Sequence, residues 1–281
     1  MSRPDFVVVG HVVKDIIPGG WRLGGTATFA ALQATRLGVS TGVVTRTSPD
    51  LDLAADLPGV PITGRPSDHT TSFENTYDGW RRTQRVPVQA DPVESEDVPE
   101  DWLDAPIALL GPVCGELGTG LGERFSGRLV AAAAQGWLRD LDEKRRVRPR
   151  SWEGEPFWRG CRVLFVSDED LGGRDDAVEA WASDLPLVVL TAADRGATVI
   201  EDGRRRTIAA FPADERDPTG AGDIFAAAFL VRYYETGDIA ECARFASAAA
   251  ACSVEGGGGE AIAGREAIER RMGEHPEIVL Q

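Results

Sequence analysis

One stretch constrains this chain more than any other, Asp217-Pro218-Thr219-Gly220-Ala221-Gly222-Asp223-Ile224-Phe225-Ala226-Ala227-Ala228-Phe229. A proline and two glycines in its first six residues exclude regular structure there, because they impose fixed and unusual backbone angles. The alanine-rich, apolar second half propagates a buried helix. The junction at Gly220–Asp223 is then a helix N-terminus, whose first backbone N–H groups have no intrahelical acceptor and attract anions, phosphate above all. Asp223 stands inside that anion site. A carboxylate there can simply cap the helix, a contribution of about 0.3–1 kcal/mol, although capping alone does not require the flanking glycines. The other reading is a division of labour in which the amides receive a phosphate in transfer and Asp223 takes the proton of the attacking hydroxyl.

Composition narrows the field. At 281 residues the chain can bury a large core, and 42% hydrophobic with 27% charged residues describes an ordinary globular protein. A formal net charge of −15 argues against nucleic-acid and anionic-membrane partners, since long-range repulsion opposes both. An anionic substrate therefore needs local arginines. Cys114, Cys161, Cys242 and Cys252 lack C-x-x-C spacing, and His11, His69 and His275 are equally dispersed, so no zinc site is expected. Free thiols, the absence of a signal-peptide pattern and the absence of a bilayer-length apolar run lead us to expect a cytoplasmic protein.

The core Asp217-Pro218-Thr219-Gly220-Ala221-Gly222-Asp223 resembles the C-terminal signature of the PfkB, or ribokinase-like, family of carbohydrate kinases, D-T-x-G-A-G-D. The resemblance implies that Asp223 is the catalytic base and that Gly220, Ala221, Gly222 and Asp223 form the anion hole. It extends along most of the chain. Phe6-Val7-Val8-Val9-Gly10 reads as a buried central strand, followed by Val12–Ile17, where Asp15 is either a solvent-facing strand position or, as the family implies, a ligand for substrate hydroxyls. Gly24 and Gly25 open a helix that stops at Gly38. In the family, G-G-x-x-x-N brings backbone and an Asn to the substrate; here Phe29 replaces the Asn, which leaves either Thr28 as the nearby polar group or a substrate with an apolar ring face, and the G-G-x-x-x-F form resembles the inositol kinases of the family.

Asp50–Leu57 reads as a short acidic helix. Residues 60 to 90 change character: Thr70–Tyr77 and Trp80–Val88 are β-prone and separated by Asp78-Gly79, a hairpin-turn signal. The family has a β-sheet lid over the substrate here. Arg81, Arg82 and Arg85 on that hairpin either keep an exposed edge solvated or, with Arg82 as our choice, bond substrate. Asp91–Asp104 reads as an acidic, proline-containing connector, solvated loop with a short helix. Leu129–Ala134 reads as a strand, with helix as the alternative. Gln135-Gly136-Trp137-Leu138-Arg139 resembles the inositol-kinase branch and makes Arg139 a substrate-binding candidate. The basic run Lys144–Arg150 is expected to be a solvated loop.

Arg162–Leu171 reads as a strand entering a carboxylate cluster, where the family's N-x-x-E organises Mg²⁺ through water. Ser167 and Asp170 stand at those positions, so Asp170 becomes the metal candidate, with ordinary helix capping as the alternative. After the strand Leu187–Thr191, the family's T-x-G-x-x-G nucleotide turn is matched at Thr191 and Gly196 but carries Ala193 for the first glycine. Ser247, in the helix beginning at Asp238, and Gly257, in the Gly256–Gly259 run, complete the expected ATP site; the glycine run reads equally as a flexible linker.

Strands alternating with helices predict an α/β fold, a doubly wound and mostly parallel sheet with a small β-sheet lid, in a single domain over residues 1–281 with the lid at about 60–90. Neither G-x-G-x-x-G nor G-x-x-x-x-G-K-[ST] occurs, which disfavours a dinucleotide-binding dehydrogenase and a P-loop NTPase. The resemblance implies an ATP- and Mg²⁺-dependent kinase, with a monovalent cation as a further expected ligand. Its acceptor is expected to be a sugar or cyclitol, inositol favoured; a nucleoside kinase and a catalytically weak ligand-binding relative are the alternatives. A homodimer is the expected partner state.

Overall fold

In a computed structural model, residues 3–78, 81–125, 129–150, 152, 154–257 and 261–281 are described. In chain order the strands are β1 (Phe6–Val9), β2 (Val13–Ile17), β3 (Gly20–Gly24), β4 (Thr41–Val44), β5 (Ile62–Thr63), β6 (Ser72–Asp78), β7 (Arg81–Val88), β8 (Ile107–Leu110), β9 (Leu129–Ala133), β10 (Arg139–Leu141), β11 (Val147–Pro149), β12 (Val163–Ser167), β13 (Leu187–Thr191), β14 (Ala197–Glu201) and β15 (Arg204–Ile208). Among the described residues nine of them form one sheet, in the order β15-β14-β13-β12-β9-β8-β1-β4-β5. It is parallel from β13 to β5, and the β14–β15 hairpin closes one edge antiparallel.

The strand sequences explain the layering. Along β1 the buried side chains alternate, Phe6 and Val8 entering the core on one face and Val7 and Val9 the core on the other. The first face is covered by the helices Thr26–Arg36, Ala221–Thr236 and Ile239–Ser253, whose alanines allow close approach. Asp238 caps the last of these, accepting from the Ala240 and Glu241 amides. The second face carries the tryptophans Trp102, Trp137, Trp152, Trp158 and Trp181.

β1 is flanked by β4 on one side and by β8 on the other. Strand order therefore reverses around β1, which creates a crevice beyond the C-terminal ends of the strands. A second sheet, β3-β2-β6-β7, lies over that crevice. Its β6–β7 hairpin is the one read from the sequence, though Gly79 and Trp80 at the turn lie outside the described residues. β2 and β3 join it, with β2 running parallel to β6. The stretch around Asp15 thus belongs to the lid sheet.

Three local expectations are corrected. Asp50–Leu57 forms turns, because the Asp52 carboxylate captures the Ala54 amide and Leu51, Leu53 and Leu57 are all drawn into burial. Within the connector, Asp97 is buried between Arg46 and Arg65. The basic run is part of the β10–β11 hairpin: Asp142 accepts from Arg146 and Arg148, and the Arg145 carbonyl receives the Val86 amide of the lid. No helix among the described residues is long and apolar enough to cross a membrane.

Candidate active site

The crevice holds a cavity of about 650 Å³ bounded by the lid, the strand ends and the D-P-T-G-A-G-D stretch. Gly220 adopts φ +80, and the helix starts at Ala221. The Ala221 amide donates to the Pro218 carbonyl at 3.2 Å and the Ile224 amide to the Gly220 carbonyl at 2.9 Å. Between them the Gly222 and Asp223 amides find no backbone acceptor among the described residues. Gly222 is exposed to the cavity, with open space where a side chain would be. Gly220, Ala221, Gly222 and Asp223 all line the cavity. Burial raises the Asp223 carboxyl to about 6; the nearby Thr26 hydroxyl and Arg139 oppose that rise, and the carboxylates of Asp170 and Asp15 add to it. A carboxylate at that level is ionised at neutral pH and still basic enough to take a proton.

The lid and the segments that follow β8 and β9 form one wall. Asp15, Gly25 and Arg139 line it. Gly24 serves Asp15 indirectly, since a Cβ on Gly24 would lie 2.2 Å from Asp15 Oδ2. Thr28 is a correction: it is buried, its hydroxyl donates to the Gly24 carbonyl one turn back at 2.6 Å, and it is absent from the cavity wall. Phe29 reaches the cavity in its place. The Arg82 backbone pairs with Tyr77 in the hairpin, while its side chain lies outside the described residues. Arg139 is nearly buried, lies 5.9 Å from the centre of the Phe73 ring, and donates to the Val113 carbonyl at 3.2 Å. Arg22, Asn75 and Gln84, which the sequence did not single out, line the cavity, as does Gln135 of the Gln135–Arg139 match. Gln84 donates to Asn75 at 3.0 Å across the hairpin, a pairing that strand alternation could have suggested.

Thr191, Gly196 and Ser247 also line the cavity, together with the apolar surface of Phe211, Pro212, Ala251 and Val254. Gly196 has φ +91 and lies so close to the Ile208 carbonyl that a Cβ would fall 2.0 Å from it. Ala193 keeps a left-handed φ of 49 without being glycine. Gly257 is a correction: the chain turns outward after the helix end, Gly257 is exposed outside the cavity lining, and Val254 supplies the wall. Gly258 and Gly259 lie outside the described residues. The Asp170 carboxylate is turned to Arg139 at 3.5 Å and Gln135 at 3.4 Å, while neighbouring Glu169 and Asp194 line the cavity. Among the described residues no three His, Cys, Asp or Glu side chains cluster as a metal cage. That donor set fits Mg²⁺, which keeps most of its waters and needs one or two carboxylates beside phosphate oxygens.

A doubly wound, mostly parallel sheet with a small second sheet over its switch-point crevice is a ribokinase-like fold. Residues 156–263 match the model of the pfkB family carbohydrate kinase. The chain is 29% identical over 264 residues to a cytidine kinase of Thermococcus kodakarensis, covering 85% of this chain and 92% of that one. An inositol 3-kinase of Oryza sativa subsp. japonica is 29% identical over 254 residues, which span 82% of this chain and 63% of the relative. Among solved structures, a pyrophosphate-dependent kinase in the ribokinase family complexed with a pyrophosphate analog and myo-inositol matches with a TM-score of 0.79. It is 24% identical, over 94% of this chain and 99% of that one.

Proposed function

We propose that the protein transfers the γ-phosphate of ATP to a hydroxyl of a small sugar or cyclitol, with a myo-inositol-like ring favoured. The observation that carries this reading is Asp223, a raised carboxyl beside two amides without backbone acceptors at the middle of one continuous cavity. The acceptor hydroxyl binds on the lid side, where Asp15, Asn75, Gln84, Gln135 and Arg139 offer polar groups suited to a ring bearing many hydroxyls. Asp223 takes its proton as the new oxygen–phosphorus bond forms and the bond to the leaving phosphate breaks. The Gly222 and Asp223 amides hold the charge on the transferring group. The Phe211, Ala251 and Val254 surface, with Ser247 and Thr191, takes the nucleotide. Glu169, and Asp170 through water, would hold Mg²⁺, which when bound neutralises phosphate charge.

A second reading, a nucleoside acceptor, is favoured by the cytidine kinase likeness over nearly the whole chain and by Phe73, an aromatic face in the acceptor wall. A homodimer through the lid belongs to our reading, because Ile16, Ile17 and Trp21 are exposed on its β2–β3 edge. The test is turnover of myo-inositol, hexoses and cytidine, each with ATP and with pyrophosphate, in the presence of Mg²⁺. Phosphorylation of myo-inositol by ATP at more than about tenfold the rate of the others is expected, a discrimination within reach of site hydrogen bonds. Turnover of cytidine alone contradicts the acceptor assignment, and turnover with pyrophosphate alone contradicts the donor.

A further inference from the structure

Arg22 joins the acceptor lid to the anion-hole loop. It lies on β3, the edge strand of the lid, directly across from Asp15 and two residues before Gly24. Its Nη1 donates to Asp217 Oδ2 at 2.5 Å and its Nη2 to Thr219 Oγ1 at 3.1 Å. Asp217 Oδ1 in turn accepts the Thr219 amide at 3.0 Å. One guanidinium therefore spans the two side chains that shape the loop immediately before Gly220. Burial alone would raise the Asp217 carboxyl, but the Thr219 hydroxyl and Arg22 more than offset it and hold it below its ordinary value. The pair is half-buried, and both residues line the cavity.

Arg22 Nε is buried with no acceptor among the described residues. The fork thus has one donor left over, at the edge of a cavity that must receive an anion. A planar fork of this kind holds two partners in fixed relation, which an ammonium does not. Building on the phosphotransferase reading, we propose that Arg22 is a positioning residue that couples the two halves of the site. Acceptor binding orders β2 and β3, Arg22 carries that order to Asp217 and Thr219, and the loop then presents the Gly222 and Asp223 amides to the phosphate. Coupling of this kind is reciprocal, so donor and acceptor each raise the affinity for the other.

The coupling is read by titrating the nonhydrolysable ATP analogue AMP-PNP with Mg²⁺, in the presence and absence of saturating myo-inositol and, separately, cytidine. The wild type is expected to bind the analogue about fivefold or more tightly when its acceptor is present. Arg22→Gln is expected to bring that ratio close to one, and Arg22→Lys to leave a part of it. A second readout needs no ligand: amide hydrogen exchange in residues 13–24 and 214–220 of the free protein. Both segments are expected to exchange faster together in Arg22→Gln, while exchange in β12 and β13 is unchanged. Coordinated change without any ligand binding in the wild type upholds the link and overturns the phosphotransferase reading instead. An undiminished affinity ratio in Arg22→Gln, or exchange that rises in one segment alone, overturns the proposal.

Discussion

The Phe29 ring packs directly against Gly220: a Cβ built on Gly220 would lie 2.4 Å from the ring Cγ. The residue that breaks the sugar-kinase pattern in the first helix therefore supports the turn from which the helix bearing Asp223 starts. Gly220 also has φ +80, where an L side chain is strained whatever the space. Gly220→Ala is expected to lower stability by about 2–4 kcal/mol, from strain and overpacking together. Phe29→Ala, which relieves the contact but leaves a void, is expected to cost about 3–5 kcal/mol. Denaturant unfolding measures both, and the double variant should fall short of the sum, since the two sites are in contact.

Ala193 offers a change in the opposite direction. Its φ of 49 costs an L residue about 1–2 kcal/mol. Glycine removes that strain and gives back about 0.4–1 kcal/mol through its freer unfolded chain. Ala193→Gly is expected to be stabilising by about 0.5 kcal/mol, visible as a higher unfolding midpoint with an unchanged denaturant slope.

Asp97 provides a stability switch in acid. Burial would raise its carboxyl, yet Arg65, Arg46 and the amides of Glu94 and Arg65 hold it down at about 2, against 3.8 for the free side chain. A depressed carboxyl contributes stability that is fully present above the unfolded value and is lost as pH falls through the folded one. About 2 kcal/mol should therefore disappear between roughly pH 4 and pH 2. Comparing acid unfolding of the wild type with Asp97→Asn isolates this loss, since the variant should lack it.

Activity should fall on the acid side for a different reason. The Asp223 carboxyl, raised to about 6, must be ionised to accept a proton. We expect kcat/KM to drop about tenfold per pH unit below 6 and to level off above about 7. A profile flat from pH 5 to 8 would argue against this assignment.

The parts of the molecule that were legible in the sequence are those dictated by local backbone chemistry. The turn at Pro218 and Gly220, the alternation in β1 and the Asp238 cap each follow from a few adjacent residues. Phe29 reaches the cavity while Thr28 turns back to the Gly24 carbonyl, a choice between neighbours on one helix that depends on the elements packed around it. Arg22 carries no local signal, and Asn75 and Gln84 carry only the cross-strand pairing of their hairpin. They reach the cavity because β2 pairs with β6, a contact between segments distant in the chain. Asp170 reads as a free carboxylate in sequence because Arg139, which engages it, arrives from another strand end.

The central claim is that Asp223 is the base, and Asp223→Asn tests it most directly. At pH 7 the variant should be at least as stable as the wild type, because a group raised on folding costs stability once it is ionised. Unfolding therefore cannot account for lost activity. With AMP-PNP and acceptor binding within about twofold of the wild type, kcat is expected to fall by about 10²–10⁴. Turnover at the wild-type rate in a variant that binds both ligands would contradict the assignment.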